Sequence, residues 1–161
     1  MKRKVLTSLF TIALAITFFG VVGFAPAQDK PADNMEIVKE KIKSDKKLLV
    51  ATNMQLSESE ANAFWPVYES YQAELGKLRD REIKLIEKFA ASYETMSDDV
   101  AKNLLDGSLS IDSDHHKLRQ SYLAKFRGVL PDAKVARYYQ IESKIDAVLE
   151  YELAKRIPLV R

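Results

Sequence analysis

One apolar stripe in the middle of the sequence constrains the fold more than any other feature. Between residues 61 and 93 apolar side chains recur, mostly at steps of three and four residues: Ala61, Phe64, Tyr68, Tyr71, Leu75, Leu78, Ile86, Phe89 and Tyr93. This spacing places them on one side of an α-helix. At 1.5 Å per residue, a helix of roughly 35 residues is about 50 Å long. Pro66 lies inside it and lacks an N–H group, so we expect a bend there.

Two similar segments indicate where helices begin. The segments Leu56–Glu60 (LSESE) and Met96–Val100 (MSDDV) each place a serine between a large apolar residue and an acid. Such a serine can accept a hydrogen bond from a backbone N–H of the first turn, and Glu60 can complete a capping box. Neither segment has the glycine-flanked strand–turn–helix setting of a nucleophile elbow. We therefore interpret Ser57 and Ser97 as helix caps and not as nucleophiles.

The rest of the sequence predicts further helices and no strand. One helix covers residues 34–52, another runs from Ser97 to about Val129, and a last one begins at Pro131, which suits a first helical position, and ends before Pro158. No stretch alternates between apolar and polar residues for long enough to indicate a strand. We therefore predict an all-α protein of about four helices, arranged as long antiparallel hairpins.

The N-terminal residues have the order of a secretory signal peptide: a basic start (2–4), an uncharged apolar run (5–24) and small residues at a cleavage site (25–27). We expect cleavage after Ala27, a flexible lead-in over residues 28–33 and a single helical domain over residues 34–161. The expected location is the periplasm. The alternative is an uncleaved leader that anchors the protein, because the apolar run is long enough to cross a bilayer.

The charge of the predicted mature chain is nearly balanced. Of the 25 Lys and Arg residues three lie in the leader, whereas none of the 23 Asp and Glu residues does, so processing leaves a net charge of about −1. This balance gives no basis for nucleic acid as a partner. The chain contains no cysteine, and its sequence has no glycine-rich phosphate loop and no HExxH motif. We therefore expect no ATP, no other cofactor and no enzymatic activity.

The leader, the small helical chain and the repeated helix starts resemble the Spy/CpxP-type periplasmic stress proteins. That family has helix starts of the form Leu-Thr-x-x-Gln. Leu56–Glu60 and Met96–Val100 are similar, with serine in place of threonine and with Glu60 and Val100 in place of glutamine; Leu130–Lys134 (LPDAK) is a degenerate third start. The resemblance implies a bent, cradle-shaped homodimer that holds unfolded or misfolded envelope proteins without ATP, or that acts on an envelope sensor kinase. It carries over no client-binding residue, because only helix starts match.

Four aromatic residues near the start of the second helix form the candidate client-binding surface: Phe64, Trp65, Tyr68 and Tyr71. A thin helical hairpin can leave such a surface exposed, where it would bind apolar segments of a client. The alternative is that these rings pack against the third and fourth helices. Trp65 stands about 100° around the helix from Phe64 and lies at the margin of the stripe.

Two polar groups remain to be assigned. Asp112, His115 and His116 share one helical face, a spacing that could hold zinc or copper, and the alternative is a solvated polar patch. Arg119 and Glu142 would lie level with each other if the third and fourth helices turn near residue 130. We predict that these two form an ion pair that fixes the register of the hairpin.

Together these features predict an ATP-independent chaperone or stress-binding protein of the periplasm. A metal-responsive accessory protein of the periplasm and a membrane-anchored structural protein are the alternatives.

Overall fold

A computed structural model describes residues 44–160 of the protein. These residues form four α-helices and one 3₁₀ turn: α1 (44–54), α2 (Glu58–Ser92), the 3₁₀ turn (Tyr93–Thr95), α3 (Asp98–Arg127) and α4 (Asp132–Ala154). The range 44–160 contains no strand, and the predicted all-α fold is confirmed. The predicted leader, the lead-in and the first part of the helix predicted over residues 34–52 lie outside the described residues.

The helix starts follow from local hydrogen bonding. Ser57 Oγ accepts from the Glu60 N–H, and the Glu60 carboxylate accepts from the Ser57 N–H at 2.8 Å, so the predicted capping box is present. Ser97 Oγ accepts from the N–H of Val100 at 3.3 Å and caps α3 in the same way. Pro131 differs from the prediction by one position. It lies before the first helical residue of α4, in extended backbone.

The capping box of α2 is also a contact with α4. The ammonium group of Lys134 donates to the Glu60 carboxylate and to the carbonyl oxygen of Gln55. Two hydrogen bonds lower the pKa of Glu60 to about 2: the larger effect comes from Lys134 and the smaller from the Ser57 backbone N–H. The start of α2 is therefore fixed to the first turn of α4.

Helices α2 and α3 form an antiparallel hairpin. The rings of Tyr71 and Tyr122 lie 5.2 Å apart between centroids. Farther along α2, Arg81 donates to the Asp114 carboxylate at 2.8 Å. Residue numbers thus rise along α2 as they fall along α3. Helix α2 continues as an α-helix through Pro66.

Helix α4 runs back along this hairpin, parallel to α2. Gln72 donates to Glu142 at 3.2 Å, and one turn beyond Glu142 the carboxylate of Asp146 accepts from Arg79 at 2.6 Å. Residue numbers therefore rise in the same direction along α2 and α4. Because α2 and α3 are antiparallel, α4 is antiparallel to α3.

Helix α1 packs antiparallel to α4 at the same end of the molecule. Lys46 binds Glu142 at 2.7 Å, and Arg137 donates to the carbonyl oxygen of Asn53 at 2.6 Å. All four helices therefore meet at one end, which we call the proximal core. Its buried side chains are Val50, Met54, Phe64, Tyr68, Tyr71, Leu75, Tyr122, Phe126, Leu130, Val135 and Tyr138.

The other end of the α2–α3 hairpin is thinner. We call residues 80–112, with the 3₁₀ turn between the two helices, the distal arm. Within it only Leu104 and Ile111 are buried, and most other apolar side chains are half-buried or exposed. The arm thus has two helices where the proximal core has four.

Candidate functional site

Three of the four predicted client-binding aromatics lie inside the proximal core. Phe64 is 0% exposed, and Tyr68 and Tyr71 are 3% exposed. Phe126 of α3 and Tyr138 of α4 cover this face, with ring centroids 5.8 and 5.2 Å from that of Phe64. The two helices that follow therefore bury the stripe that predicts α2, which is the alternative that the sequence left open, and Phe64, Tyr68 and Tyr71 present no surface to a client in the folded protein.

Trp65 differs from the other three rings because it is only half-buried. The Phe64 ring meets it edge-on at 5.1 Å between centroids. On another side, the ammonium group of Lys47 lies 5.2 Å from the centre of the indole ring, and the same ammonium binds Glu69 at 2.6 Å. Trp65 therefore lies at the junction of α1 and α2, partly covered by a cation–π contact.

The buried carboxylate of Glu142 binds a different partner from the one predicted. Its ion pair is with Lys46 at 2.7 Å, and both side chains are more than nine-tenths buried. Gln72 donates to the other carboxylate oxygen at 3.2 Å. Arg119 instead donates to Ser143 Oγ at 3.1 Å and lies over the ring of Tyr139. The predicted ion pair between Arg119 and Glu142 is therefore wrong.

The reason is the rotation of α4 about its own axis. Adjacent residues of a helix point about 100° apart, so Ser143 faces α3 while Glu142 faces α1. A signal for the true partner was present in the sequence. Lys46, Val50 and Met54 follow one another at steps of four, so a lysine lies on an otherwise apolar helical face.

The buried carboxylate also affects the tyrosines of the core. Burial, and secondly the negative charge of Glu142, raises the pKa of Tyr138 well above its ordinary value, and Tyr71 responds in the same direction for the same reasons. The phenol of Tyr138 accepts from Gln72 at 3.3 Å. Both phenols therefore remain neutral, and that of Tyr138 is a hydrogen-bonding member of the core.

The histidine segment of α3 lies on the surface. Asp112 and His116 are exposed, and His115 is half-buried. Among residues 44–160 no group of three His, Cys, Asp or Glu side chains is arranged to hold a metal ion. The geometry of the described residues gives the metal hypothesis no support beyond the spacing in the sequence.

The large exposed apolar side chains of the described residues lie elsewhere: Leu48 on α1, Leu105 and Leu109 on α3, Val148 and Tyr151 on α4, and Ile157, Leu159 and Val160 after α4. Leu105 and Leu109, one turn apart on α3, are 61% and 57% exposed. We call this pair the distal apolar face. On α4, Val148 and Tyr151 are 59% and 63% exposed.

A signal for the distal apolar face exists in the sequence. Beside the buried row of α3, which contains Leu104 and Ile111, a second row runs at steps of three and four: Asp98, Ala101, Leu105, Leu109, Asp112 and His116. Residues so spaced share a helical face. The spacing therefore offers two apolar rows on α3, and it does not decide which of them is buried.

No protein-family model, curated protein or solved structure matches the chain. The resemblance to the Spy/CpxP-type proteins accordingly stays a prediction. Within residues 44–160 no helix combines the length and the apolar character that crossing a membrane requires.

Proposed function

We propose that the protein is an ATP-independent chaperone of the periplasm that binds apolar segments of unfolded proteins on the distal apolar face. The observation that carries this proposal is the exposure of Leu105 and Leu109 on a helix whose other face is packed against α2. Apolar side chains exposed one turn apart on a helix can form part of an interaction surface. The predicted leader supports export, and the resemblance of the helix starts supports the chaperone class.

The position of the face suits a reversible binding site. The proximal core holds the four helices together without any contribution from Leu105 or Leu109. A client can therefore bind the arm without opening the core. The face lies on α3, a continuous helix of 30 residues, so its two leucines are presented on a regular scaffold.

The expected affinity is low, and that is consistent with release without ATP. Complete burial of a leucine side chain stabilises a complex by about 1.5–3 kcal/mol. Two half-exposed leucines contribute a few kcal/mol at most, and the loss of translational and rotational freedom offsets a large part of that gain. Contacts of this size break spontaneously, so a client that folds and buries its own apolar residues is released.

The test is the aggregation of a chemically unfolded client protein, followed by light scattering with an equal molar amount of the purified protein and no ATP. We expect the wild-type protein to suppress aggregation and the Leu105→Ser/Leu109→Ser variant to lose most of that effect. The matched control is Val148→Ser/Tyr151→Ser, which removes two similarly exposed apolar side chains from α4. It should retain suppression.

The folded state of each variant is checked by its helical circular dichroism and its Tm. Because both pairs are exposed, we expect changes in stability within about 1 kcal/mol. A folded wild-type protein that leaves client aggregation unchanged would refute the chaperone proposal. Equal loss in the α3 and α4 variants would refute the assignment to the distal apolar face.

A further inference from the structure

The distal apolar face is surrounded by acidic side chains. On the first half of α3 four exposed aspartates accompany the leucines: Asp98, Asp99, Asp106 and Asp112. Lys102 is the one lysine or arginine between positions 98 and 116. None of the four aspartates forms an ion pair with another residue in the range 44–160, whereas their neighbour Asp114 binds both Arg81 and Lys117.

Two of the four aspartates lie directly beside the leucines. Asp106 and Asp112 are each three residues from Leu109, on either side of it along the chain. Asp98, Leu105 and Asp112 follow one another at steps of seven, which is two helical turns. Carboxylates therefore flank the leucine pair along the side of Asp106 and at the end of Asp112, whereas Lys102 lies one turn before Leu105.

The charge of α3 is divided along its length. Its second half contains only basic charged residues after Asp114: Lys117, Arg119, Lys125 and Arg127. The acidic half is the half that belongs to the distal arm and carries the exposed leucines. The coincidence of acidic charge with exposed apolar area defines the chemistry of a complementary partner.

We propose that the distal apolar face selects cationic apolar segments, in which large apolar residues are flanked by lysine or arginine. This inference rests on the proposed function and names the class of client. The client's apolar residues would contact Leu105 and Leu109. A lysine or arginine beside them in the client would then approach Asp106 or Asp112. Opposite charges at such a boundary increase specificity and the rate of association, and salt screens both effects.

The test compares two fluorescently labelled peptides with the same apolar centre, one flanked by lysines and the other by glutamates. Their Kd values for the full-length purified protein are measured by fluorescence anisotropy. We expect the lysine peptide to bind about tenfold more tightly at low salt, since several exposed charge pairs contribute. In about 0.5 M salt the difference should shrink to less than about threefold.

Two variants locate the effect. Asp106→Asn/Asp112→Asn keeps both leucines and should make the two peptides bind nearly equally. These aspartates are preferred to Asp98 and Asp99, which lie in the first turn of α3 and stabilise it against the helix dipole. The control is Glu87→Gln/Glu150→Gln, which removes two exposed acids from α2 and α4 and should keep the preference.

The outcomes separate this inference from the proposed function. If both peptides bind equally, and Leu105→Ser/Leu109→Ser abolishes both, the charge preference is overturned and the chaperone proposal stands. If neither peptide binds and no client is protected, the proposed function itself fails. If the preference survives Asp106→Asn/Asp112→Asn, its assignment to this face is overturned. If the wild-type protein is a dimer and Leu105→Ser/Leu109→Ser converts it to a monomer, the inference is overturned, because the face then binds a second copy of the chain.

Discussion

The apolar side chains of the α2–α3 hairpin are buried at one end and largely exposed or half-buried at the other. In the proximal core eleven buried side chains from all four helices and the α3–α4 turn pack together. In the distal arm the same two helices bury only Leu104 and Ile111. The core is rich in aromatic rings, whereas the arm is mostly aliphatic, with Phe89 and Tyr93 as its aromatic residues. The other difference is the cover that α1 and α4 provide at one end only.

This comparison teaches that stability and binding are separated along one pair of helices. The aromatic rings that a sequence-based argument assigns to client binding stabilise the proximal core, where three additional helical faces bury them. The exposed leucines lie where such cover is missing. Variants placed at each end test that division.

The largest expected effect is at the centre of the proximal core. Phe126 is 0% exposed, and its ring lies 4.6 Å from that of Tyr138 and 5.8 Å from that of Phe64. Phe126→Ala should reduce the free energy of unfolding in urea by about 4 kcal/mol. The matched variant in the distal arm is Phe89→Ala, at a half-buried ring, which should cost about 1–2 kcal/mol. Similar losses in both variants would contradict the division.

The second effect tests the charged group within that core. Lys46→Met should destabilise the protein by about 3 kcal/mol, because it leaves the buried carboxylate of Glu142 without a counter-charge. The double variant Lys46→Met/Glu142→Leu should recover stability to within about 1 kcal/mol of wild type. Lys47→Met, which breaks an exposed pair with Glu69, is the control and should cost less than about 1 kcal/mol.

This cycle also distinguishes the two candidate partners of Glu142. Urea unfolding of Arg119→Met should show a smaller loss than Lys46→Met, since Arg119 binds Ser143 and Tyr139 near the surface. A loss in Arg119→Met that exceeds the loss in Lys46→Met would return Arg119 to the role that the sequence predicted for it.

The smallest effect measures how loosely the distal arm is packed. A Cβ added at Gly107 would lie 2.9 Å from a terminal methyl carbon of Leu85, a half-buried side chain that can move. Alanine is favoured over glycine inside a helix by about 1 kcal/mol. We therefore expect Gly107→Ala to stabilise the protein slightly, by less than about 1 kcal/mol in urea unfolding.

Gly76→Ala is the reference for that measurement, because a Cβ at Gly76 would meet no atom within 4 Å. The difference between the two alanine variants isolates the cost of moving Leu85. If Gly107→Ala were destabilising by more than about 1 kcal/mol, the arm would be packed as rigidly as the proximal core.

The sequence predicted the features that depend on neighbouring residues. Ser57 and Ser97 cap their helices because the groups they bind are three residues away. The long stripe of α2 predicted a buried face, and one of the two interpretations of its aromatics was that they pack against α3 and α4. Pro131 was placed one position too far into its helix, because the residue before a helix and the first residue of it both suit proline.

The remaining features depend on how whole helices are placed. Glu142 and Ser143 differ by one position in the chain, yet one faces α1 and the other α3. That choice depends on the rotation of α4, which no local pattern determines. Leu105 is exposed and Leu104 is buried for a similar reason. Both lie on α3, but the described helices cover only one of its faces at that level.

The position of Trp65 decides which events can be followed by intrinsic fluorescence. It is the only tryptophan in the chain, and it lies against Lys47 at the junction of α1 and α2, far along the hairpin from Leu105. Its emission therefore reports on the detachment of α1 and on unfolding of the proximal core. A peptide bound to the distal arm would leave that emission unchanged, so binding by fluorescence is followed with a label on the peptide or on the arm and not with the intrinsic tryptophan.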